Sequence, residues 1–258
     1  MLKEFIVYGG YPRVVLAHND AEKQEVLKNI FNIYLLRDVR DMVGFMDDYK
    51  MLNLIKALSL QTGNVISYEE LSTLAQQKTP ELKKHLNMLE KTYIVHLLKP
   101  YFTNKRTELV KNPKIYFYDT GLRNAVIGDF KKMDSRLDKE ALYENFVFSE
   151  LMKRSFTLKY WRTKSKAEVD FIVNEKIPVE VKSVLSKPMI GKSIFSFITK
   201  YHVEKAFIFN ENLFGLQKVN GTAIRFLYHF SELPIKLYKR VGHHILISFL
   251  PFPGERGK

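Results

Sequence analysis

The stretch from Glu168 to Ser183 constrains this chain most, because it sets charged side chains inside two short apolar segments. Val, Ile and Phe dominate both segments, and the polar residues 174–176 between them are typical of a turn, so the pattern predicts a buried β-hairpin. Because strand side chains alternate between two faces, Glu180 and Lys182 should point the same way, while the neighbouring valines point into a core.

Asp170 lies in the first segment of this hairpin, and Glu180 and Lys182 lie in the second. A charge on a buried sheet is costly unless it is paired or binds a metal ion. Two carboxylates and a lysine that meet there predict a site that holds a divalent cation and acts on a phosphate. The alternative is a solvated hairpin face with an incidental Glu–Lys pair.

The composition restricts the metal to a hard cation. The chain has no cysteine, which excludes disulfides and Cys-based metal sites, and its seven histidines include no His-x-x-x-His pair. The sequence therefore predicts Mg²⁺ or Mn²⁺ held by carboxylates.

Positive charge is concentrated in the second part of the chain. Residues 151–258 carry 19 Lys and Arg against 8 Asp and Glu, whereas residues 1–150 carry 22 against 20. This asymmetry predicts a polyanionic partner such as a nucleic acid, although a lysine-rich solvated surface gives the same count. The candidate phosphate contacts are Arg162, Lys164, Lys166, Lys187 and Lys192.

Residues 46–130 have the pattern of a winged helix-turn-helix. A helix over 49–60 is followed by the capping box Ser67–Glu70 and by a helix with Thr79 as its cap and Pro80 at its first position. Strands over 93–98 and 114–118, joined by a polar loop containing residues 104–106, complete the pattern. The third helix of such a module normally enters the major groove, so Lys83 and Lys84 are candidate DNA contacts, with a purely structural role as the alternative.

The pattern of residues 136–235 predicts an α/β (α+β) domain whose elements follow one another as helix, three strands, helix and strand. Its first helix, over 137–154, contains Glu144. Asp170 followed by Glu180-x-Lys182 resembles the signature of the PD-(D/E)XK nuclease superfamily. The resemblance implies a restriction-endonuclease-like αβββαβ domain in which Asp170, Glu180, Lys182 and Glu144 are catalytic, and Asp170, Glu180 and Glu144 bind the metal.

The same region and two N-terminal motifs resemble a family of archaeal and bacterial AAA+ ATPases. The motifs are residues 8–12 (Tyr-Gly-Gly-Tyr-Pro) and 34–39 (Tyr-Leu-Leu-Arg-Asp-Val), and the resemblance implies that residues 1–45 are an ATPase-lid-like remnant and linker. No Gly-x-x-x-x-Gly-Lys-[Ser/Thr] loop is present, so we expect no ATP binding on this chain. Residues 236–258 fit no expected element.

Together these features predict a DNA-binding, Mg²⁺-dependent nuclease-like protein that cleaves phosphodiester bonds. The alternative is a non-catalytic DNA-binding or regulatory fragment of an AAA+ ATPase. A surface for acidic membranes or proteins ranks last, because no amphipathic helix has a basic face. No apolar run reaches about 18 residues, so we expect no membrane partner and a cytoplasmic location. The sequence leaves association into a homo-oligomer open.

Overall fold

A computed structural model of the chain describes residues 2–33 and 48–228. The α-helices are α1 (Leu2–Tyr8), α2 (Pro12–Val15), α3 (Asp20–Ile30), α4 (Asp48–Leu60), α5 (Tyr68–Leu74), α6 (Thr79–Lys91), α7 (Lys105–Val110), α8 (Thr120–Ile127), α9 (Lys139–Lys153) and α10 (Lys192–Tyr201). The strands are β1 (Val95–Leu98), β2 (Lys114–Phe117), β3 (Leu158–Arg162), β4 (Glu168–Val173), β5 (Ile177–Val181), β6 (Lys205–Asn210), β7 (Gly215–Val219) and β8 (Thr222–Tyr228). The linker motif at 34–39 and the segment 236–258 lie outside the described residues.

The described part of the chain is a mixed α/β structure with a six-stranded mixed sheet. The strand order is β3-β4-β5-β6-β8-β7. Strands β3, β4 and β5 are antiparallel, β5 runs parallel to β6 and β6 to β8, and β7 closes the edge antiparallel to β8. The pairing of β5 with β6 requires a crossover, which helix α10 makes.

The sheet has an apolar cluster on each face. Helix α9 covers one face, where its stripe of Leu142, Phe146 and Leu151 packs with Phe171 and Val179 of the central strands. Helix α10 covers the other face through Ile194, Phe197 and Ile198. Both faces are buried, so a charged side chain on a central strand must find its partners inside the protein.

A third apolar cluster holds together helices α4, α5, α6 and α8 and the two-stranded sheet β1–β2. Ser67 accepts a hydrogen bond from the amide of Glu70 at 3.3 Å and starts α5, which is the first half of the predicted capping box. Oε1 of Glu70 accepts a hydrogen bond from Nε2 of Gln61 at 3.1 Å. The prediction of a polar loop around residues 104–106 is wrong in part, because helix α7 begins at Lys105. Asn104 accepts a hydrogen bond from the Arg106 amide at 3.0 Å and caps helix α7.

The glycine-rich motif at residues 8–12 joins α1 to α2 and packs against the start of α8. Gly9 has a φ of 75°, and a Cβ there would lie 2.1 Å from Oδ1 of Asp119. The Asp119 carboxylate accepts hydrogen bonds from the amides of Gly10 and Leu122, both at 2.8 Å. The glycines therefore allow a buried carboxylate to approach the backbone closely, which gives the motif a structural role.

The other elements predicted between residues 49 and 228 lie within one or two residues of the observed ones, whereas α1 and α2 were not predicted as helices. Helix α6 begins one residue earlier than predicted, with Lys78 at the cap position and no side-chain capping bond. Strand β7 was not predicted: its side chains alternate between half-buried and exposed, and its polar residues weaken the apolar signal. No helix in the described ranges combines the length and apolar character needed to cross a membrane.

Candidate carboxylate and lysine site

An extra residue in strand β4 positions Asp170. Lys159 pairs with Ile172 and Trp161 pairs with Val169, so Asp170 and its neighbour Phe171 together lie opposite Tyr160. Such a bulge redirects side chains locally. Oδ2 of Asp170 accepts a hydrogen bond from the amide of Val181 on β5 at 2.8 Å, and Oδ1 lies 3.9 Å from Nζ of Lys114.

Lys114, the first residue of β2, is the centre of the carboxylate cluster. Its side chain is 1% exposed, and its Nζ lies 2.9 Å from Oε1 of Glu144 and 2.5 Å from Oε1 of Glu168. With Asp170, three carboxylates from α9 and β4 surround one ammonium group. We call Lys114, Glu144, Glu168 and Asp170 the Lys114 cluster.

The cluster has opposite effects on its own members. Burial by itself lowers the pKa of Lys114, but the charges of Glu144, Asp170 and Glu168 outweigh it and raise that pKa above its ordinary value. Burial, reinforced by the negative charge of Glu144, raises the pKa of Asp170 well above its ordinary value, although Lys114 opposes the shift. Lys114 therefore stays charged, and Asp170 favours its protonated form.

Two tyrosines line the cluster. The hydroxyl of Tyr116 donates a short hydrogen bond to Oε1 of Glu144, and burial followed by that negative charge raises the Tyr116 pKa well above its usual value. The ring of Tyr160 lies 5.9 Å from Nζ of Lys114 and adds a cation–π contact. Both rings exclude water from the ammonium group.

Glu180 and Lys182 form an ion pair with each other, and both lie close enough to Asp170 to interact electrostatically with its carboxyl group. Val179 and Val181 belong to the apolar cluster under α9, so Glu180, between them, points toward α10. Its Oε1 lies 2.9 Å from Nζ of Lys182, and a Cβ on Gly191 at the start of α10 would be 3.2 Å from that oxygen.

The second carboxylate oxygen of Glu180 lacks a hydrogen-bond partner. The Glu180 side chain is only 7% exposed, and its buried Oε2 has no hydrogen-bond donor among the described residues. Burial lowers the pKa of Lys182, but the charge and hydrogen bond of Glu180 raise it above the ordinary value. Lys182 therefore carries a positive charge beside a buried carboxylate.

The carboxylates as arranged do not fit a divalent cation. Residues 2–33 and 48–228 contain no group of three His, Asp or Glu side chains that could hold a metal ion. Glu144 and Asp170 already face the Lys114 ammonium, and one oxygen of Glu180 faces Lys182. Mg²⁺ demands near-octahedral oxygen ligands at about 2.1 Å, and an ammonium group among those oxygens competes directly with it.

The predicted nucleic-acid contacts are all exposed. Lys164 and Lys166 lie in the turn between β3 and β4, where residue 166 has a φ of 65°. Arg162 at the end of β3 lies 3.4 Å from Glu168 through its NH1 atom. The others are at the surface as well: Lys187 and Lys192 near the start of α10, and Lys83 and Lys84 on α6.

Lys114, Glu168 and Tyr116 are the site residues that sequence reasoning missed. A signal existed, because Lys114 begins a strand whose other positions are Ile, Tyr and Phe. A lysine in a fully buried strand requires a carboxylate partner. The sequence could not indicate which carboxylates those would be, because Lys114 and Glu168 are 54 positions apart.

This protein is a mixed α/β protein whose six-stranded sheet is covered by helices on both faces. The buried Lys114 cluster joins that sheet to the helical region. The chain belongs to the family described as "Domain of unknown function (DUF8612)", which matches residues 1–133. Residues 139–228 match a second description, "Domain of unknown function (DUF4143)". Lys114 lies in the first matched region and its three carboxylate partners lie in the second, so the cluster joins the two.

Curated relatives occur in bacteria and archaea. An uncharacterized protein of Haemophilus influenzae is 29% identical over 180 residues, which cover 68% of this chain and 43% of the relative. An uncharacterized protein of Mycobacterium tuberculosis is 27% identical over 73% of this chain and 44% of its own length. One from Methanocaldococcus jannaschii is 27% identical over 67% of this chain and 39% of its own length. The chain thus spans less than half the length of these relatives.

Proposed function

We propose that this chain binds DNA through a basic surface beside β4 and acts, without cleaving DNA, as a DNA-binding or regulatory part of a larger AAA+-type ATPase. The observation that carries the proposal is the exposed set of cationic side chains around the β3–β4 turn. The Lys114 cluster favours the non-catalytic form, because a lysine ammonium group already occupies the space between its carboxylates. The greater length of the relatives supports a larger parent protein.

The basic surface is built from segments that contact each other. The amide of Glu168, which follows the turn holding Lys164 and Lys166, donates a hydrogen bond to Oγ of Ser193 at 3.1 Å. Ser193 is adjacent to Lys192 at the start of α10, so the turn and the helix terminus are neighbours. Three lysines and the positive end of the helix dipole suit a row of phosphates, which position DNA without reading its sequence.

The finer fold assignment is part of the same proposal. Helices α4, α5 and α6 with the β1–β2 sheet suit a winged helix, whose third helix exposes Lys83 and Lys84. The order of α9, β3, β4, β5, α10 and β6 suits a PD-(D/E)XK nuclease-like domain. Binding to chromosomal DNA would require a cytoplasmic location, which we propose with it.

DNA binding can be tested by fluorescence anisotropy with a labelled duplex over a range of salt concentrations. We expect log K to fall linearly with log salt, by roughly 0.9 for each phosphate neutralised. Replacing Lys164, Lys166 and Lys192 by Ala should reduce that slope by about 2 to 3 and weaken binding at every salt concentration.

A second triple variant removes the same charge elsewhere. Lys56, Lys131 and Lys132 are exposed lysines outside this surface and serve as the matched control. This variant should keep nearly the full slope. No binding by the wild type at low salt, or equal losses in the two variants, would contradict the proposal.

A second candidate function is Mg²⁺-dependent hydrolysis of phosphodiester bonds in DNA. The unpartnered buried Oε2 of Glu180 next to charged Lys182 favours it, whereas the paired state of Glu144 and Asp170 opposes it. The test is plasmid cleavage with Mg²⁺. If the chain cleaves, Asp170→Asn should abolish cleavage and leave DNA binding unchanged or tighter. Cleavage at an equal rate in that variant would come from a contaminant.

A further inference from the structure

We infer that the ammonium group of Lys114 is an internal cation that permanently occupies the carboxylate cluster of Glu144, Glu168 and Asp170 and excludes divalent metal ions from it. The inference does not depend on DNA binding. It bears on the second candidate function, because the Lys114 ammonium lies between the Glu144 and Glu168 oxygens that a metal ion would bind.

The distances make the two occupants mutually exclusive. The ammonium lies 2.5 and 2.9 Å from one oxygen each of Glu168 and Glu144, so it takes the space between these side chains. A divalent ion that bound the same oxygens at about 2.1 Å would meet a positive charge at close range with little water between them. Tyr116 occupies a further direction, because its hydroxyl donates to the same Glu144 oxygen.

Lys114 has no route out of the cluster without a change in the fold. All four residues of β2 are buried. The backbone of Lys114 pairs with Leu98 on β1 and forms a bridge to Val65 on its other side. The ring of Tyr160 lies over the ammonium group, and the Tyr160 hydroxyl donates a hydrogen bond to the carbonyl of Asn112 at 2.6 Å. Swinging the side chain into water would displace this ring and expose three carboxylates.

The cluster also joins two regions of the chain. Lys114 belongs to the helical region with β1–β2, whereas the carboxylates belong to α9 and β4. A divalent ion would bridge the carboxylates alone, but a lysine side chain ties them to a second region. This explains why a lysine, rather than a bound ion, suits a position at the junction.

The test is Mn²⁺ binding, measured by loss of the free-ion signal in electron paramagnetic resonance. The wild type should show no saturable site that depends on Glu144. Lys114→Met keeps the length of the side chain and removes the charge, and we expect it to gain about one Mn²⁺ site per chain, at least tenfold tighter than any wild-type binding. Adding Glu168→Gln to that variant should abolish the gain.

A matched control removes a different lysine from a different carboxylate pair. Lys159 lies 2.7 Å from Glu108 and 2.7 Å from Glu175, and its side chain is 13% exposed. Lys159→Met should not gain a Mn²⁺ site, because Lys105 still faces both carboxylates. An equal gain in this control would show that any carboxylate pair binds the ion once one lysine is removed, and would overturn the inference.

Two further results keep the inference falsifiable if Lys114→Met does not fold. Lys114→Gln keeps hydrogen-bond donors for the carboxylates and should also gain the site. The wild type itself provides the other test: saturable Mn²⁺ binding that Glu144→Gln abolishes would overturn the inference. A folded Lys114 variant, shown by circular dichroism, that gains no Mn²⁺ site would do so as well.

Discussion

Asn145 of helix α9 holds the outer edge of β2, and its replacement tests how the two regions of the chain are joined. The Tyr118 amide donates a hydrogen bond to the Ile94 carbonyl, just before β1. Because successive residues of a strand direct their main-chain groups to opposite sides, the amide and carbonyl of Phe117 point away from β1. Asn145 satisfies both: its Oδ1 accepts from the Phe117 amide at 2.7 Å, and its Nδ2 donates to the Phe117 carbonyl at 2.7 Å. The side chain is fully buried.

The cost of Asn145→Ala follows from these bonds. The Phe117 carbonyl keeps a second donor, Oγ of Ser149 at 3.3 Å, but the Phe117 amide is left buried without a partner. An orphaned buried donor costs about 1 to 3 kcal/mol, and each lost hydrogen bond adds about 1 kcal/mol. We therefore expect the free energy of unfolding to fall by roughly 3 kcal/mol.

Urea unfolding followed by circular dichroism measures this change, and an unchanged m-value would show that the folded and unfolded surfaces are comparable. Ser149→Ala is the matched control. It removes the long bond to the same carbonyl and the 3.0 Å bond to the Asn145 carbonyl. It orphans no main-chain donor, so it should cost about 1 kcal/mol. If Asn145→Ala costs no more than Ser149→Ala, the two bonds to Phe117 do not hold α9 to β2 and the reasoning fails.

Two further predictions concern the N-terminal half. Burial raises the pKa of Asp138, but Arg136 and Arg123 outweigh it and hold that pKa at about 2. The stability that this carboxylate contributes is present above its unfolded pKa and is lost as pH falls from about 4 to 2. Asp138→Asn should therefore remove roughly 1 kcal/mol of acid-sensitive stability. Urea unfolding at pH 6 and pH 3 measures the difference. Gly121→Ala would put a Cβ 2.0 Å from a main-chain oxygen of α1 and should cost about 3 kcal/mol or prevent folding, whereas Gly215→Ala, with open space around it, should change the melting temperature little. A melting temperature of Gly121→Ala equal to that of Gly215→Ala would contradict the predicted clash.

Sequence periodicity predicted the local elements around the site because their signals are local. The turn at residues 174–176, the alternation of Glu180 with the two valines beside it, and Glu144 on the helix before the sheet all follow from residue spacing. The exposure of Lys83, Lys84 and the basic turn likewise follows from the polarity of those segments. A resemblance to a nuclease signature added a chemical role that spacing alone could not supply.

Tertiary structure alone decided which charges meet. Glu180 pairs with Lys182, as its sequence position allows. Asp170 and Glu144 instead meet Lys114, which lies on a strand more than 25 residues earlier in the sequence. The bulge in β4 that directs Asp170 depends on pairing with β3, and pairing register is a property of two strands together. Electrostatic partners inside a protein are chosen by packing, because burial makes an unpaired charge too costly to keep. The sequence by itself therefore determined where charged side chains enter the core, and only the fold determined that Lys114 meets three of the carboxylates there.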